Sequence, residues 1–219
     1  MTILFTQYWD VKPGQFDAYS NFIVDSYNPA MERLRIQLLG GYYTAVGEGP
    51  RIIAVATMEN DTGLMMALAH REFRIAHTGL LQWVDNYHSK VWAPTGRVTE
   101  GPYHIQTSAW KFNQYYDIVP GREEAHYRFV KEECLAGMKA LGLPITGGWR
   151  LVVGSGPRIL AEATGRNMVN IAKALDSAEF RQIVRVLKKQ YAVNYSSRIL
   201  APTGRIEVPF LMKEMMKGF

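Results

Sequence analysis

The stretch Arg51-Ile-Ile-Ala-Val-Ala-Thr57 returns 107 residues later as Arg158-Ile-Leu-Ala-Glu-Ala-Thr164. The chain is therefore one supersecondary unit written twice. We assign residues 1–107 to the first repeat, 108–209 to the second and 210–219 to a C-terminal tail, for which we expect a short helix. The other recurring pairs, the last after a one-residue shift, are Gln7-Tyr8 and Gln114-Tyr115, Pro13-Gly14 and Pro120-Gly121, Gly40-Gly41 and Gly147-Gly148, Phe73-Arg74 and Phe180-Arg181, and Ala93-Pro-Thr-Gly-Arg97 and Ala201-Pro-Thr-Gly-Arg205.

Residue patterns within the first repeat predict the order β-α-β-β-α-β, which the second repeat reproduces. Alternating aromatic and β-branched residues indicate strands, and apolar residues at helical spacing indicate helices. The turn Gly47-Glu-Gly-Pro50 indicates a hairpin. The predicted elements are a strand over 3–10, a helix from about 16 to the Gly40-Gly41 stop, strands over 42–46 and 51–57, a helix over 64–91 and a strand over 97–106.

That order is typical of the ferredoxin-like unit, a four-stranded antiparallel sheet with helices on one face. Such a sheet leaves its second face uncovered, and a second copy in the same chain can cover it. We therefore predict an α+β fold of two tandem ferredoxin-like repeats. Their antiparallel sheets pack face to face as an intramolecular pseudo-dimeric barrel with a cavity between the sheets.

Composition is that of an ordinary soluble protein, with 219 residues, 47% hydrophobic and 21% charged. No apolar run is long enough for a membrane span, and the N-terminus lacks the features of a signal peptide. Cys134 is the only cysteine, so we expect a reducing, cytoplasmic location. Basic residues cluster in the second repeat without interleaved aromatic residues, and the first repeat is acidic, which argues against nucleic-acid binding.

The motifs also resemble a known superfamily. Gln-Tyr with a following Pro-Gly, the Gly-Gly pair before an aromatic residue, the helix with Phe-Arg and the Ala-Pro-Thr turn resemble the dimeric α+β barrel proteins, closest to the NIPSNAP-like branch. The resemblance covers almost the whole chain. It implies the barrel fold, while members of the superfamily range from cofactor-independent monooxygenases and isomerases to haem-binding enzymes and proteins of unknown activity, so fold alone does not give the function.

Strand parity selects the residues that face the predicted cavity between the sheets. On the first strand of each repeat, Phe5 and Phe112 mark the helix-covered face, so Tyr8, Tyr115 and Asn113 lie on the opposite face. Together with Tyr43 and Arg150, the residues Tyr8, Tyr115 and Asn113 are our predicted substrate-binding set.

Glu162 is the most informative difference between the repeats, because it replaces Val55 in an otherwise copied strand. A symmetric hairpin would place Arg150 nearly opposite Glu162. A structural Arg–Glu pair is one interpretation. The functional one is a general base or substrate anchor inside a partly desolvated cavity.

Histidines distinguish the repeats in the opposite sense. His70 and His77 share a helix face with Arg74, and only the arginine is duplicated. With Glu162, these two histidines are the predicted catalytic candidates, although exposed polar helix residues would look the same. Their spacing does not match a metal site, so we expect no metal.

Two functional hypotheses follow. In the first, the chain is a cofactor-independent enzyme, monooxygenase- or isomerase-like, acting on a small apolar or aromatic molecule between the sheets. In the second, it is a non-catalytic small-molecule-binding or assembly protein, so the sequence leaves open whether it is an enzyme. A haem-binding barrel, with His70 or His77 as axial ligand, is a minor alternative to an expected absence of cofactors. A homodimer is compatible with either hypothesis, and we expect no membrane partner.

Overall fold

The computed structural model describes residues 2–98 and 109–203. The first repeat consists of β1 (Ile3–Val11), α1 (Phe16–Phe22), a π-helical turn (Ile23–Tyr27), α2 (Asn28–Arg33), β2 (Gln37–Val46), β3 (Ile52–Met58), α3 (Asp61–Ala69), α4 (Arg71–Leu80) and β4 (Val84–Pro94). The second consists of β5 (Trp110–Ile118), α5 (Glu123–Phe129), a π-helical turn (Val130–Cys134), α6 (Leu135–Ala140), β6 (Ile145–Val153), β7 (Ile159–Gly165), α7 (Met168–Asp176), α8 (Ala178–Val186), a π-helical turn (Leu187–Tyr191) and β8 (Ala192–Pro202).

The eight strands form one closed antiparallel barrel in the order β1-β3-β2-β8-β5-β7-β6-β4. Within each repeat this is the ferredoxin-like order. Between the repeats, β2 pairs with β8 and β4 pairs with β6, so the two facing sheets are hydrogen-bonded along both edges. Closure leaves no free sheet edge. The predicted α+β fold of two tandem repeats that form an intramolecular barrel is confirmed.

Side chains of each strand alternate between the barrel interior and the helix layer. Phe5, Trp9 and Ile52 pack under the helices of the first repeat, and Phe112 and Tyr116 do so in the second, as strand parity predicts. The opposite faces form a third apolar cluster inside the barrel. No helix within the described ranges is long and apolar enough to cross a membrane.

The duplicated Ala-Pro-Thr segment, 93–95 and 201–203, connects each repeat to the other. Thr95 donates from its backbone N–H (2.9 Å) and its hydroxyl (3.1 Å) to the Gly148 carbonyl, and Thr203 donates from the same two groups to the Gly41 carbonyl, both at 3.0 Å. Each threonine therefore reaches the Gly-Gly pair of the opposite repeat. This reciprocal contact gives two of the duplicated motifs a shared structural role, closing the barrel.

Replacing both threonines with valine is expected to lower the free energy of unfolding by about 2 kcal/mol, because each change removes one hydroxyl hydrogen bond at a repeat junction. Urea denaturation measures it. Thr62, an exposed threonine near the start of α3, supplies the matched control, and its valine variant should change stability by less than about 0.5 kcal/mol. Equal effects from the double and control variants would contradict the junction role.

Several predicted element boundaries are wrong, and the fourth strand of the first repeat is β4 rather than the strand predicted over 97–106. The helix predicted over 64–91 is α3 and α4, after which the chain enters β4, whose polar residues alternate weakly with apolar ones. The helix predicted to stop at Gly40-Gly41 ends at Arg33, because Arg35 adopts a positive φ of 57° that usually needs glycine. Most of the strand predicted over 97–106, and all of the tail, lie outside the described residues.

Candidate functional site

The barrel interior is filled with aromatic and aliphatic side chains from both repeats. Of the predicted site residues, Tyr8, Tyr115, Asn113 and Glu162 are buried there. Asn113 Nδ2 donates to the Tyr115 hydroxyl at 3.4 Å. The apolar side chains of this cluster are Leu4, Tyr8, Tyr42, Ile53, Val55, Trp92, Tyr115, Trp149, Leu160 and Leu200.

A buried ion pair makes this interior asymmetric. Lys111 Nζ lies 2.8 Å from Glu162 Oε2, and the two side chains are 2% and 3% exposed. The equivalent residues of the first repeat are Leu4 and Val55, both buried and apolar. Lys111 was missed by the sequence analysis, although its mismatch with Leu4 on the inward-facing parity of β5 is a usable signal.

Gly147 gives the ion pair its space. A Cβ atom at Gly147 would lie 2.9 Å from Glu162 Oε1 and 2.6 Å from Trp149 Nε1, whereas one at the equivalent Gly40 would meet nothing within 4 Å. The duplicated glycine therefore has a steric role in the second repeat only. Near the pair, Asn113 Oδ1 is buried without a hydrogen-bond partner among the described residues. Such an atom is usually satisfied by an ordered water or ligand.

Tyr43 and Arg150 do not line the barrel interior, so their predicted placement is wrong. Tyr42 and Trp149 occupy the inward positions, and a one-residue difference in register moves a side chain to the other face. Arg150 is exposed and pairs with Ile159, while Glu162 pairs with Gly147, because the hairpin ladder continues to the Arg158 carbonyl. The predicted Arg150–Glu162 contact is therefore absent, and Lys111 takes that role.

His70 and His77 lie outside the barrel, on α4. His70 is exposed, and its Nδ1 accepts from the Glu72 N–H at 3.2 Å, capping the helix. His77 stacks on Phe73, with ring centres 5.9 Å apart, and burial lowers its pKa. The structure therefore does not bring these histidines together with Glu162.

A cavity of about 430 Å³ lies instead between the outer face of the second repeat's sheet and its helices. We call it the helix–sheet cavity. Its walls are mainly apolar with a few polar groups, which is typical of small-molecule sites. The residues that line it include Tyr116, Glu123, His126, Cys134, Arg97 and Arg150.

Smaller side chains open this cavity relative to the first repeat. Tyr19 and Tyr27 are fully buried there, and their equivalents in the second repeat are His126 and Cys134. The Tyr27 hydroxyl also donates to Gln7 Oε1, and Cys134 has no hydroxyl with which to form the equivalent bond. The repeats thus share a helix–sheet layer that is packed with aromatic rings in one and partly empty in the other.

His126 is the most unusual polar group in the cavity wall. Its Nε2 lies 3.0 Å from the Tyr116 hydroxyl, and its buried Nδ1 has no partner among the described residues. Burial, with a smaller contribution from Arg97, lowers the pKa of His126 to about 4. The imidazole is therefore neutral at neutral pH, with one ring nitrogen available for a ligand. Burial also raises the pKa of Cys134 to about 12, which makes that thiol unreactive.

Charged groups lie at the rim of the cavity. The Arg97 guanidinium sits over the Tyr127 ring at 4.6 Å, so the turn after β4 of the first repeat reaches α5 of the second. Arg150, predicted to bind substrate, lines this cavity rather than the barrel interior, and Glu123 is its one carboxylate among the described lining residues. No group of three potential metal ligands occurs in the described ranges.

The neutral state of His126 predicts acid-sensitive stability. Its pKa is about 4 when folded and about 6.5 when unfolded, so its contribution is complete above pH 6.5 and is lost as pH falls towards 4, by at most about 3 kcal/mol. In unfolding curves at pH 7 and 4.5, His126→Phe should show a smaller loss than the unsubstituted protein. Exposed His70→Gln is the control and should keep the full loss; an undiminished loss in His126→Phe would contradict the assignment.

Comparison with known proteins confirms the fold. A proposed monooxygenase from Lactobacillus acidophilus NCFM is similar over 91% of this chain and 93% of its own, with a TM-score of 0.61 and 10% identity. An anthrone oxidase-like protein gives 0.60 and 8% identity, over 91% and 90%. A chlorite dismutase variant from Candidatus Nitrospira defluvii gives 0.59 and 8%, over 94% and 93%.

NIPSNAP-family structures are also among the matches. No protein-family model matches the sequence, and no curated protein matches it significantly. At these identities the similarity establishes the fold and carries no activity with it. The chain therefore has the dimeric α+β barrel fold, with both halves of the barrel supplied by one polypeptide.

Proposed function

We propose that this chain is a cofactor-independent enzyme, of the monooxygenase or isomerase type, whose substrate is a small aromatic ketone or phenol bound in the helix–sheet cavity. The observation that carries the proposal is the buried His126 Nδ1, unpartnered among the described residues, in an otherwise mainly apolar cavity. A buried polar group without a partner costs free energy, which a ligand oxygen would recover. The similar folds include a proposed monooxygenase and an anthrone oxidase-like protein, which directs the choice of substrate class.

Both reaction types are proposed to begin with loss of a proton from a carbon conjugated with the substrate oxygen, which in an anthrone is the methylene carbon across the central ring from the carbonyl. A pKa of about 4 makes His126 a poor proton acceptor at neutral pH, so we assign it to the substrate oxygen, as a neutral hydrogen-bonding group. Glu123, at the rim, is the proposed proton acceptor. For an anthrone, the carbanion then reacts with O₂: one oxygen atom enters the product as a quinone carbonyl and the other leaves as water.

Glu162, Tyr8, Tyr115 and Asn113 stay candidates for a second role inside the barrel, where Glu162 is paired with Lys111. His70 and His77 lie outside both this cluster and the helix–sheet cavity, and we assign them no role in the reaction. A symmetric homodimer is a separate proposal, since the barrel closes within one chain; light scattering after size-exclusion chromatography tests it.

Calorimetric titration with anthrone, followed by an oxygen-electrode assay, tests the proposal. The unsubstituted protein should bind one anthrone, and His126→Phe should bind it about tenfold more weakly, as the loss of one hydrogen bond predicts. Glu123→Gln should retain binding and lose O₂ uptake, and Glu124→Gln, at an equally exposed glutamate outside the cavity lining, is the matched control. Binding of anthrone without O₂ uptake by the unsubstituted protein would favour the non-catalytic alternative, and unchanged binding by His126→Phe would overturn the site assignment.

A further inference from the structure

Two cations converge inside the barrel, away from the helix–sheet cavity. Lys90 on β4 and Arg198 on β8 occupy equivalent positions in the two repeats. Lys90 Nζ lies 5.7 Å from the Tyr8 ring centre and 6.0 Å from that of Tyr115, and Arg198 Cζ lies 5.8 and 5.4 Å from the same two centres. Because each cation lies close to both tyrosine rings, the two cations are near each other, close to the pseudo-two-fold axis of the barrel.

Neither cation forms an ion pair in the described part of the chain. No carboxylate there lies within 4.0 Å of Lys90 or Arg198, and Arg198 Nη1 is buried without a hydrogen-bond partner. Burial, and then the charge of Arg198, lowers the pKa of Lys90. The tyrosine rings lie near the limit of cation–π range, and among the described residues no hydrogen bond joins either cation to a tyrosine hydroxyl. Two half-buried like charges are therefore left with unused donors.

Glycine hairpins leave room for both charged groups. A Cβ atom at Gly49 would lie 2.5 Å from Arg198 Nη2, and one at Gly156 would lie 3.2 Å from Lys90 Nζ. The two hairpins, Gly47-Glu-Gly49 and Gly154-Ser-Gly156, are equivalent in the repeats and exposed. His88, stacked on Tyr8 with ring centres 4.6 Å apart, lies on the same side. The cations thus form a polar site at the hairpin end of the barrel.

We propose that Lys90 and Arg198, between Tyr8 and Tyr115, bind a small oxyanion of the phosphate class at the hairpin end of the barrel. Two cations match the charge of a phosphate dianion, and a guanidinium can donate two parallel hydrogen bonds to its oxygens. The tyrosine rings pack against both cations and the glycine hairpins approach them closely, which favours a compact anion over a bulky one. This site is independent of the proposed reaction in the helix–sheet cavity.

Calorimetric titration with inorganic phosphate at constant ionic strength tests the proposal. The unsubstituted protein should bind one phosphate, and Lys90→Gln and Arg198→Gln should each weaken binding at least tenfold. Arg185→Gln, which removes an exposed cation on α8, should bind as the unsubstituted protein does. Phenyl phosphate in a parallel titration separates an organic monoester from the free ion, since tighter binding of the ester identifies the monoester as the ligand class.

A second readout separates binding from folding. Without phosphate, Lys90→Gln should be as stable as the unsubstituted protein or more so, because it removes like-charge repulsion. With phosphate, only the unsubstituted protein and Arg185→Gln should show a raised Tm. Absence of saturable phosphate binding, or equal binding by all four proteins, would overturn the proposal.

Discussion

Lys111→Leu is expected to lower the free energy of unfolding by about 3–5 kcal/mol. The substitution leaves the Glu162 carboxylate buried without its cation, and breaking a buried ion pair from one side carries a cost of that size. An exposed pair gives the control: Arg181 Nη1 lies 3.2 Å from Asp176 Oδ1, and Arg181→Gln should cost less than about 1 kcal/mol. Urea denaturation of the three proteins at pH 7 measures the difference.

The double variant Lys111→Leu, Glu162→Val makes the experiment decisive. It installs in the second repeat the Leu4 and Val55 combination that the first repeat already packs at the equivalent positions. Replacing a buried ion pair with apolar residues is often neutral or stabilising, so the double variant should recover most of the loss. If Lys111→Leu barely lowers the free energy of unfolding, or if the double variant is as unstable as the single one, the interpretation as an ion pair isolated from solvent is contradicted.

If the double variant is stable and loses an activity, the pair has a function beyond packing. The barrel does not require a charged pair at these positions for folding, because the first repeat has leucine and valine there. Its retention is then explained by chemistry inside the barrel, where Tyr42 lies within cation–π distance of Lys111, 4.8 Å from Nζ to the ring centre.

Repetition made the fold predictable from the sequence, because each element was seen twice. Predictions of helix and strand boundaries were wrong where the sequence lacks the residue that usually marks such a boundary. Gly142 follows α6 with a positive φ, and glycine is the usual sequence signal for a helix end. Its equivalent in the first repeat is Arg35, which has the same conformation, so no glycine indicates that helix end in the sequence. In β4, alternation is obscured because Asn86 and Tyr87 form a bulge opposite Trp9.

Side-chain placement was predictable where strand alternation alone decided it, and not where it depended on the register of a hairpin. Tyr8 and Asn113 were placed correctly inside the barrel from the alternation along β1 and β5. Tyr43 and Arg150 were misplaced in both repeats by the same step, because the hairpins pair Tyr43 with Ile52 and Arg150 with Ile159, whereas a symmetric turn would have paired Arg150 with Glu162. The error is thus one of hairpin register, repeated by the duplication.

The helix–sheet cavity could not be predicted by searching the sequence for reactive residues, since it arises where side chains of the second repeat are smaller than their equivalents in the first. Cys134 and His126 look ordinary in isolation. Their meaning comes from comparison with Tyr27 and Tyr19, which fill the equivalent space. Comparing buried helix positions between repeats, in addition to strands, is the signal that would have located the cavity.

Cys134→Tyr is therefore expected to close the cavity and to weaken anthrone binding at least tenfold. The cavity of about 430 Å³ is large enough for an aromatic ring, so overpacking is not expected, and stability should be unchanged or higher. The new hydroxyl would also lie near Gln114, as Tyr27 lies near Gln7 in the first repeat. Titration with anthrone and a urea unfolding curve measure both effects.

The reciprocal substitution, Tyr27→Cys, tests whether ring volume alone distinguishes the repeats. It should lower the free energy of unfolding by about 3 kcal/mol, because it removes a fully buried ring and the hydrogen bond to Gln7. It should also leave anthrone binding in the second repeat intact, since the two helix–sheet layers are separate. If Cys134→Tyr keeps full binding while Tyr27→Cys reduces it, the ligand occupies the first repeat and the assignment of the cavity is wrong. The two variants thus test the location of the ligand independently, one by filling the cavity and one by opening the equivalent space. We expect the filled cavity to give the more stable protein and the open cavity to be the one that binds the ligand.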